Sequence, residues 1–375
     1  MIFIGRLKKF VRVNLVFCIA VIAAIITSFI IAPDRAYIDY FDFRTLTCLF
    51  CTLAVVGALS NIGFFYVLSK DIIRRFGNLR SSVVALVYIT FLGSMLLAND
   101  MALLTFLPLG YYVLHETHNE HHMAFTFIMQ NIAANLGGML TPFGNPQNLY
   151  LYSRFSIPTG EFMSIMLPPF LIAIVLITLC CIVFTPAIPL TLEGEKPQLD
   201  PKRTTAYLVL FAFSIIIVFR LIPYWIGLIV VPLALLLLDR RALAHVDYPL
   251  LGTFAAFFIF SGNMGRMEGV RQFFGGLLSR NTLVFSALSC QCISNVPSAI
   301  LLSQFTENYP DLLVGVNIGG CGTIIASLAS LITFRSFLCN DPRHGKKYFA
   351  LFSALNFSFL IILTAAELLL KRIGA

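Results

Sequence analysis

The chain has 375 residues, 58% hydrophobic and only 12% charged, with mean hydropathy +0.87 and net charge +8. Soluble domains carry about 25% charged residues, so a water-soluble globule is excluded and lipid must cover much of the surface, which the 36 Phe residues suit. The basic excess collects at the ends of apolar runs, where it sets orientation in a bilayer rather than binding nucleic acid.

A spanning helix needs about 20 apolar residues. Residues 1–36 carry a basic cap (Arg6, Lys8, Lys9, Arg12) and an apolar run over 13–32 that leads into Pro33-Asp34. That run exceeds the ~7–15 residues of a signal-peptide core, so it is expected to be a retained first span. A first half, 37–190, follows. It contains a span at 43–66, a long run at 81–114 broken by LLANDMALLTFLPL, a run at 122–155 interrupted by GGMLTPFGNPQN, and a span at 161–188. The polar stretch 191–205 is expected to be a cytoplasmic linker. The second half, 206–375, has runs at 206–222, 224–238 and 249–265, then 275–306 broken by ISNVPSAILL, 309–335 interrupted by GGCGTIIAS, and 348–370.

If 81–114 and 275–306 are re-entrant hairpins, about nine true spans remain and the N-terminus is cytoplasmic. This arrangement puts most Lys and Arg inside: the N-terminal cap, Lys70, Arg74, Arg75, Arg80, Lys196, Lys202, Arg203, Arg240, Arg241, Arg335, Arg343, Lys346 and Lys347. Arg266, Arg271 and Arg280 fall outside. Treating either broken run as a full crossing would invert everything after it.

The halves resemble each other in three blocks. Asp42-Phe43 and Asp247-Tyr248 each precede an apolar run, 205 residues apart. A polar break falls around Asn99 and again around Asn295. NLGGMLTPFGNPQN (135–148) and NIGGCGTIIASLAS (317–330) both begin N-x-G-G-x-x-T. In the orientation above the copies run in opposite senses, so the expected fold is an all-α polytopic membrane protein of two inverted repeats, with two hairpins and two broken helices.

Backbone outside a helix is costly in hydrocarbon and persists where it lines a cavity or binds a solute. Asn99 or Asp100 can cap the second arm of one hairpin, and Ser294 or Asn295 that of the other, with Pro297 in its first turn. Capped half-helices favour an anion at their N-termini, whereas the carbonyls freed by the Gly-rich breaks suit a hard cation such as sodium. Asp100, a carboxylate at membrane depth, is the sharpest single residue. The cluster His115, His118, His121 and His122 is expected to be a solvated loop, not a transition-metal site. Tyr150, Tyr152 and Trp225 read as interfacial aromatic residues. The nine Cys, including the Cys48-x-x-Cys51 pair, read as packing residues without a disulfide framework.

At SNVPSAILL and GGMLTPFGNPQN, within roughly residues 40–335, the chain resembles the ion transporter superfamily of divalent anion/sodium symporters, citrate transporters and arsenite permeases. The resemblance implies a homodimer, a scaffold bearing the interface, and a transport domain of hairpins and broken helices that moves as an elevator. Dicarboxylate members carry Ser-Asn-Thr at each tip; here the tips read Ala98-Asn99-Asp100 and Ser294-Asn295-Val296, so both asparagines are kept and both threonines lost.

The leading expectation is a secondary active transporter of a small anion in the cell (inner) membrane, coupled to sodium or protons, with no other cofactor. Asn99, Asp100, Asn145, Pro146, Ser294, Asn295 and Val296 would bind substrate. Asn99, Asp100, Gly144, Asn145, Asn295, Thr323, Ala326 and Ser327 would bind the ion. The alternative is a sodium/proton antiporter that uses Asp100 as carrier. A channel or an intramembrane enzyme is less favoured, since the sequence has no HExxH and no GxSxG.

Overall fold

Asp42 and Asp247 each stand immediately before a 19-residue helix, and each accepts the N–H three residues on (Thr45, Leu250) at 2.9 Å. The first sequence block is thus a helix start, with an otherwise orphaned donor satisfied. A computed structural model describes residues 14–67, 76–190, 199–244 and 246–374. Arg6, Lys8, Lys9, Arg12, Lys70, Arg74, Arg75, Lys196 and residues 191–198 of the linker lie outside the described residues.

The described residues are helical: α1 (Leu15–Ile30), a 3-10 turn (Arg35–Tyr40), α2 (Phe43–Asn61), α3 (Leu79–Ser94), α4 (Asn99–Glu116), α5 (Met123–Gly137), α6 (Pro146–Arg154) and α7 (Thr159–Phe184). After these come α8 (Pro201–Val218), α9 (Tyr224–Leu238), α10 (Arg240–Ala244), α11 (Tyr248–Arg266), α12 (Glu268–Leu278) and α13 (Thr282–Ile293). The chain ends with α14 (Asn295–Leu302), α15 (Tyr309–Ile318), α16 (Leu328–Asn340) and α17 (Gly345–Gly374). Among the described residues, α2, α7, α8 and the segment Pro342–Ile373 are long and apolar enough to cross a membrane by themselves. On α7, Leu167, Leu171, Val175 and Leu179 leave an exposed apolar stripe at i,i+4 spacing, which lipid covers. The protein is a multi-pass membrane protein.

All four expected breaks are present. Residues 95–98 separate α3 from α4, and Ser294 alone separates α13 from α14. Residues 138–145 part α5 from α6, and 319–327 part α15 from α16. Packing follows the same plan in both halves: α3 packs on α4 and α5, as α13 does on α14 and α15. Across the halves the partners exchange. α16 packs on α4 and α5 while α6 packs on α14 and α15, and α7 meets α15 while α17 meets α5. α1 lies along α11, and α8 and α9 lie along α2.

Three expectations need correction. The apolar run 275–306 is not all hairpin, because α12 is a separate helix ending at Leu278 and Asn281 starts α13 by accepting the Val284 N–H at 3.0 Å. Apolar composition alone does not divide two helices joined by so short a turn. Tyr150 and Tyr152 are buried, not interfacial: Tyr150 shares a hydrogen bond with Ser303 Oγ at 2.8 Å, and Tyr152 lies under the Arg220 guanidinium. Trp225 is 56% exposed, as expected of an interfacial ring. Lastly, no side chain caps α4 or α14 in the usual way. Each asparagine Oδ1 instead accepts the N–H of the next residue, Asp100 or Val296, at 2.9 Å.

Candidate functional site

The two hairpin tips bring Asn99 and Asn295 to the first residues of α4 and α14, where both are 3% exposed. Asn99 Nδ2 donates to Asn135 Oδ1 at 3.0 Å, near the end of α5. The same oxygen accepts Ser327 Oγ at 2.8 Å, from the start of the other half's broken-helix arm. In the mirror position, Asn145 Nδ2 donates to Asn317 Oδ1 at 3.1 Å, and Asn317 Nδ2 donates to Asn148 Oδ1 at 2.6 Å. Gln147 Nε2 also reaches Asn317 Oδ1, at 3.2 Å. Each N-x-G-G asparagine therefore receives the residue that opens the opposite broken helix.

The hydroxyls repeat this logic. Thr141 Oγ1 donates to the Met95 carbonyl at 2.8 Å, and Thr323 Oγ1 to the Gln291 carbonyl at 3.1 Å. Met95 and Gln291 each lie four residues before the tip asparagine. Glycines allow the approach. A Cβ on Gly137 would stand 2.8 Å from the Phe91 carbonyl carbon, and one on Gly319, its counterpart, 2.9 Å from Ala287 Cα. Gly320 faces Asn295 Nδ2, where a Cβ would be 3.2 Å away. Asn148 Nδ2 ties off carbonyls of the first break, at Gly138, Met139 and Thr141, within 3.1–3.2 Å.

Several buried polar atoms here have no protein partner: Asp100 Oδ1, Asn145 Oδ1, Gln147 Oε1 and Asn135 Nδ2. Such groups are expensive unless something else satisfies them. A cavity of about 780 Å³ reaches the tips between α1, α11, α12 and α13, and its polar end is formed by Asn99, Asp100, Ser289, Ser294, Asn295 and Ser327. Its remaining lining is largely apolar, and no Lys or Arg is among the lining residues. Ser294 has φ 76° and ψ 159°, a region that is essentially Gly-only, so the second tip is strained. Among the described residues the other positive-φ positions that are not glycine, His118, Ser156 and Arg220, lie just past helix ends.

Of the predicted site residues, Asn99, Asp100, Pro146, Ser294, Asn295, Val296 and Ser327 line the cavity. Gly144, Asn145, Thr323 and Ala326 stand behind it. Asn145 belongs to the amide network, Gly144 abuts Gly138, Thr323 binds Gln291, and the Ala326 carbonyl accepts Ser294 Oγ at 3.3 Å. Sequence reasoning missed Asn135, Gln147, Asn148, Gln291 and Asn317 as site residues. The shared N-x-G-G motif marks two of these; Gln291 carries no sequence signal. The histidines lie apart, with His115 Nδ1 and Glu120 Oε1 at 2.9 Å and the His121 and His122 rings 4.1 Å apart.

A family model described as citrate transporter matches residues 1–309. The chain is 28% identical over 329 residues to an uncharacterized transporter of Methanocaldococcus jannaschii, covering 86% of this chain and 89% of that one. It is 30% identical over 308 residues to the inner membrane protein YbiR of Escherichia coli, covering 80% and 81%. A shorter match, 32% over 143 residues, is to the silicon efflux transporter LSI3 of rice, covering 38% of this chain and 29% of that one.

Proposed function

This chain belongs to the citrate transporter family, and from that premise we propose that it is a secondary active transporter of a small anion, coupled to sodium or protons. The observation that carries the proposal is the convergence of both hairpin tips, Asn99 and Asn295, on one cavity beside the unpartnered Asp100 Oδ1, with further unpartnered amide atoms of Asn135, Asn145 and Gln147 behind the tips. Substrate is held by the tip residues Asn99, Asp100, Ser294, Asn295 and Val296 with Pro146 at the start of α6. On this reading the coupling ion is held by carbonyls, an amide and hydroxyls of the two breaks, Gly144 and Asn145 in the first and Thr323, Ala326 and Ser327 in the second.

The exchanged packing of the halves supports inverted repeats. On this reading α3–α6 and α13–α16 move as an elevator against a scaffold of α1, α2, α8, α9 and α11, in a homodimer with the N-terminus in the cytoplasm. Two discrete arrangements of packed helices, rather than continuous deformation, give alternating access.

A second reading, sodium/proton exchange on Asp100, is favoured by one feature: the cavity presents a carboxylate with a free oxygen and no basic residue. Proteoliposomes decide between them. Uptake is measured for a panel of citrate, other small carboxylates, oxyanions and orthosilicate (the last because of the silicon efflux relative), with imposed sodium or proton gradients. Gradient-driven uptake of a panel member supports the first reading. Substrate-free sodium/proton exchange, abolished in Asp100→Asn, replaces it with the second.

A further inference from the structure

A second cavity, of about 480 Å³, lies at the opposite ends of the two short helices that begin at the site. α6 runs from Pro146 at the tips to Arg154 at this pocket, about 13 Å at 1.5 Å per residue. Gln304, just past α14, lines it too. The other walls come from the segment Asp39–Arg44, from Tyr224 at the start of α9, and from Phe258 and Gly262 of α11. Moving and scaffold elements of the proposed elevator therefore meet here.

Unlike the central cavity, this one is polar and contains guanidinium groups. Arg44 Cζ sits 5.8 Å from the Tyr224 ring centroid, a cation–π contact that holds the group in place. Neither Arg44 nor Arg154 forms an ion pair with a carboxylate among the described residues. Asp42 is already committed, its two oxygens accepting the Thr45 N–H at 2.9 Å and the Thr45 hydroxyl at 2.8 Å. Asp39 is exposed at the rim. Ser153, Ser156 and Gln304 add neutral hydrogen-bonding groups. The absence of a ring-blocking side chain at Gly262 lets Tyr40 lie against α11 and shape the wall.

We propose that this pocket is a second anion site, a vestibule in which Arg44 and Arg154 hold a small carboxylate before it reaches the tips. The role as a vestibule rests on the anion-transport reading; the binding of an anion there does not. Forked donors match a carboxylate, and a partly enclosed polar pocket of this size suits a small ligand. The central cavity, with no cation of its own, gains from a basic collecting point on the route.

The single tryptophan, Trp225, follows the lining residue Tyr224 and lines neither cavity, so its emission serves as a probe placed next to this pocket and away from the tips. Purified full-length protein in detergent is titrated with citrate while Trp225 emission is followed. A saturable change is expected in the wild type and in Asn295→Ala. In the Arg44→Gln/Arg154→Gln double variant apparent affinity falls about tenfold or more, with Arg44→Lys/Arg154→Lys intermediate. No saturable wild-type change, its persistence in the double glutamine variant, or its loss in Asn295→Ala overturns the proposal. So does a change given by short-chain phosphatidylglycerol but not by citrate, which assigns the pocket to lipid headgroups. If the emission change obeys this pattern while no panel anion is transported, the binding site stands and the transport reading fails.

Discussion

Asn135 Oδ1 accepts both Asn99 Nδ2 at 3.0 Å and Ser327 Oγ at 2.8 Å, so one carboxamide oxygen joins the first hairpin tip to the second broken helix. Asn317 Oδ1 is its counterpart in the second half, accepting Asn145 Nδ2 at 3.1 Å and Gln147 Nε2 at 3.2 Å from the first. Asn135 Nδ2 has no protein partner, a donor beside the unpartnered acceptors Asp100 Oδ1, Asn145 Oδ1 and Gln147 Oε1.

Replacing Asn135 by Leu leaves two buried donors without an acceptor. The loss is expected to be about 1–3 kcal/mol for each group left unpaired. A double-mutant cycle with Asn99→Ala should show coupling of about 0.5–3 kcal/mol. Thermal unfolding in detergent measures this, and strictly additive effects would mean that the Asn99–Asn135 bond does not contribute.

The paired glycines make a sharper contrast. Gly137→Ala and Gly319→Ala each drive a Cβ into the backbone of a hairpin arm, and overpacking of this kind costs about 1–3 kcal/mol or more. Gly57, inside α2, has open space within 4 Å, so Gly57→Ala should gain about 0.5–1 kcal/mol. Opposite shifts in melting temperature are the expected result.

Strain at Ser294 predicts that Ser294→Gly stabilises the protein, since the backbone there costs about 1–3 kcal/mol for a residue with a Cβ. Ser294→Ala keeps the strain, loses the bond from Oγ to the Ala326 carbonyl, and should melt lower than wild type. Uptake should fall in both if the hydroxyl contacts substrate. A lower melting temperature for the glycine variant would refute the strain argument.

His122, in the turn ahead of α5, has its imidazole pKa lowered from 6.5 by burial and then by the neighbouring His121. A base with a depressed folded pKa binds protons more readily when unfolded. Its contribution is therefore present above about pH 6.5 and lost as the pH falls through the lower folded value. The difference in melting temperature between wild type and His122→Asn should shrink or reverse from pH 7 to pH 5, read by thermal unfolding across that range.

Much of the architecture was legible because it is written locally. Asp42 and Asp247 marked two helix starts, and Ala98-Asn99-Asp100, Ser294-Asn295-Val296 and the two Gly-Gly segments marked all four breaks. Each is a run of cap formers or glycine inside an apolar stretch, and hydrocarbon tolerates such a run only for a reason. The line between α12 and the second hairpin was harder to read, since apolar residues flank it on both sides and only the short Ser279-Arg280-Asn281 turn separates them. Nor was the burial of Tyr150 and Tyr152, because a tyrosine near a helix end suits an interface or a core equally well until its hydroxyl finds Ser303 or Thr159.

The sequence by itself determined the solvent, the helical plan, the positions of the breaks and the residues at the tips, because hydropathy, capping and backbone freedom act over a few residues. Only the tertiary structure decided which of those residues face solute and which hold the frame. Asn145 meets Asn317 across 172 residues, and Ser327 meets Asn135 across 192. A carboxamide binds whatever donor or acceptor the packing of distant helices brings to it, and no pattern along the chain specifies that partner.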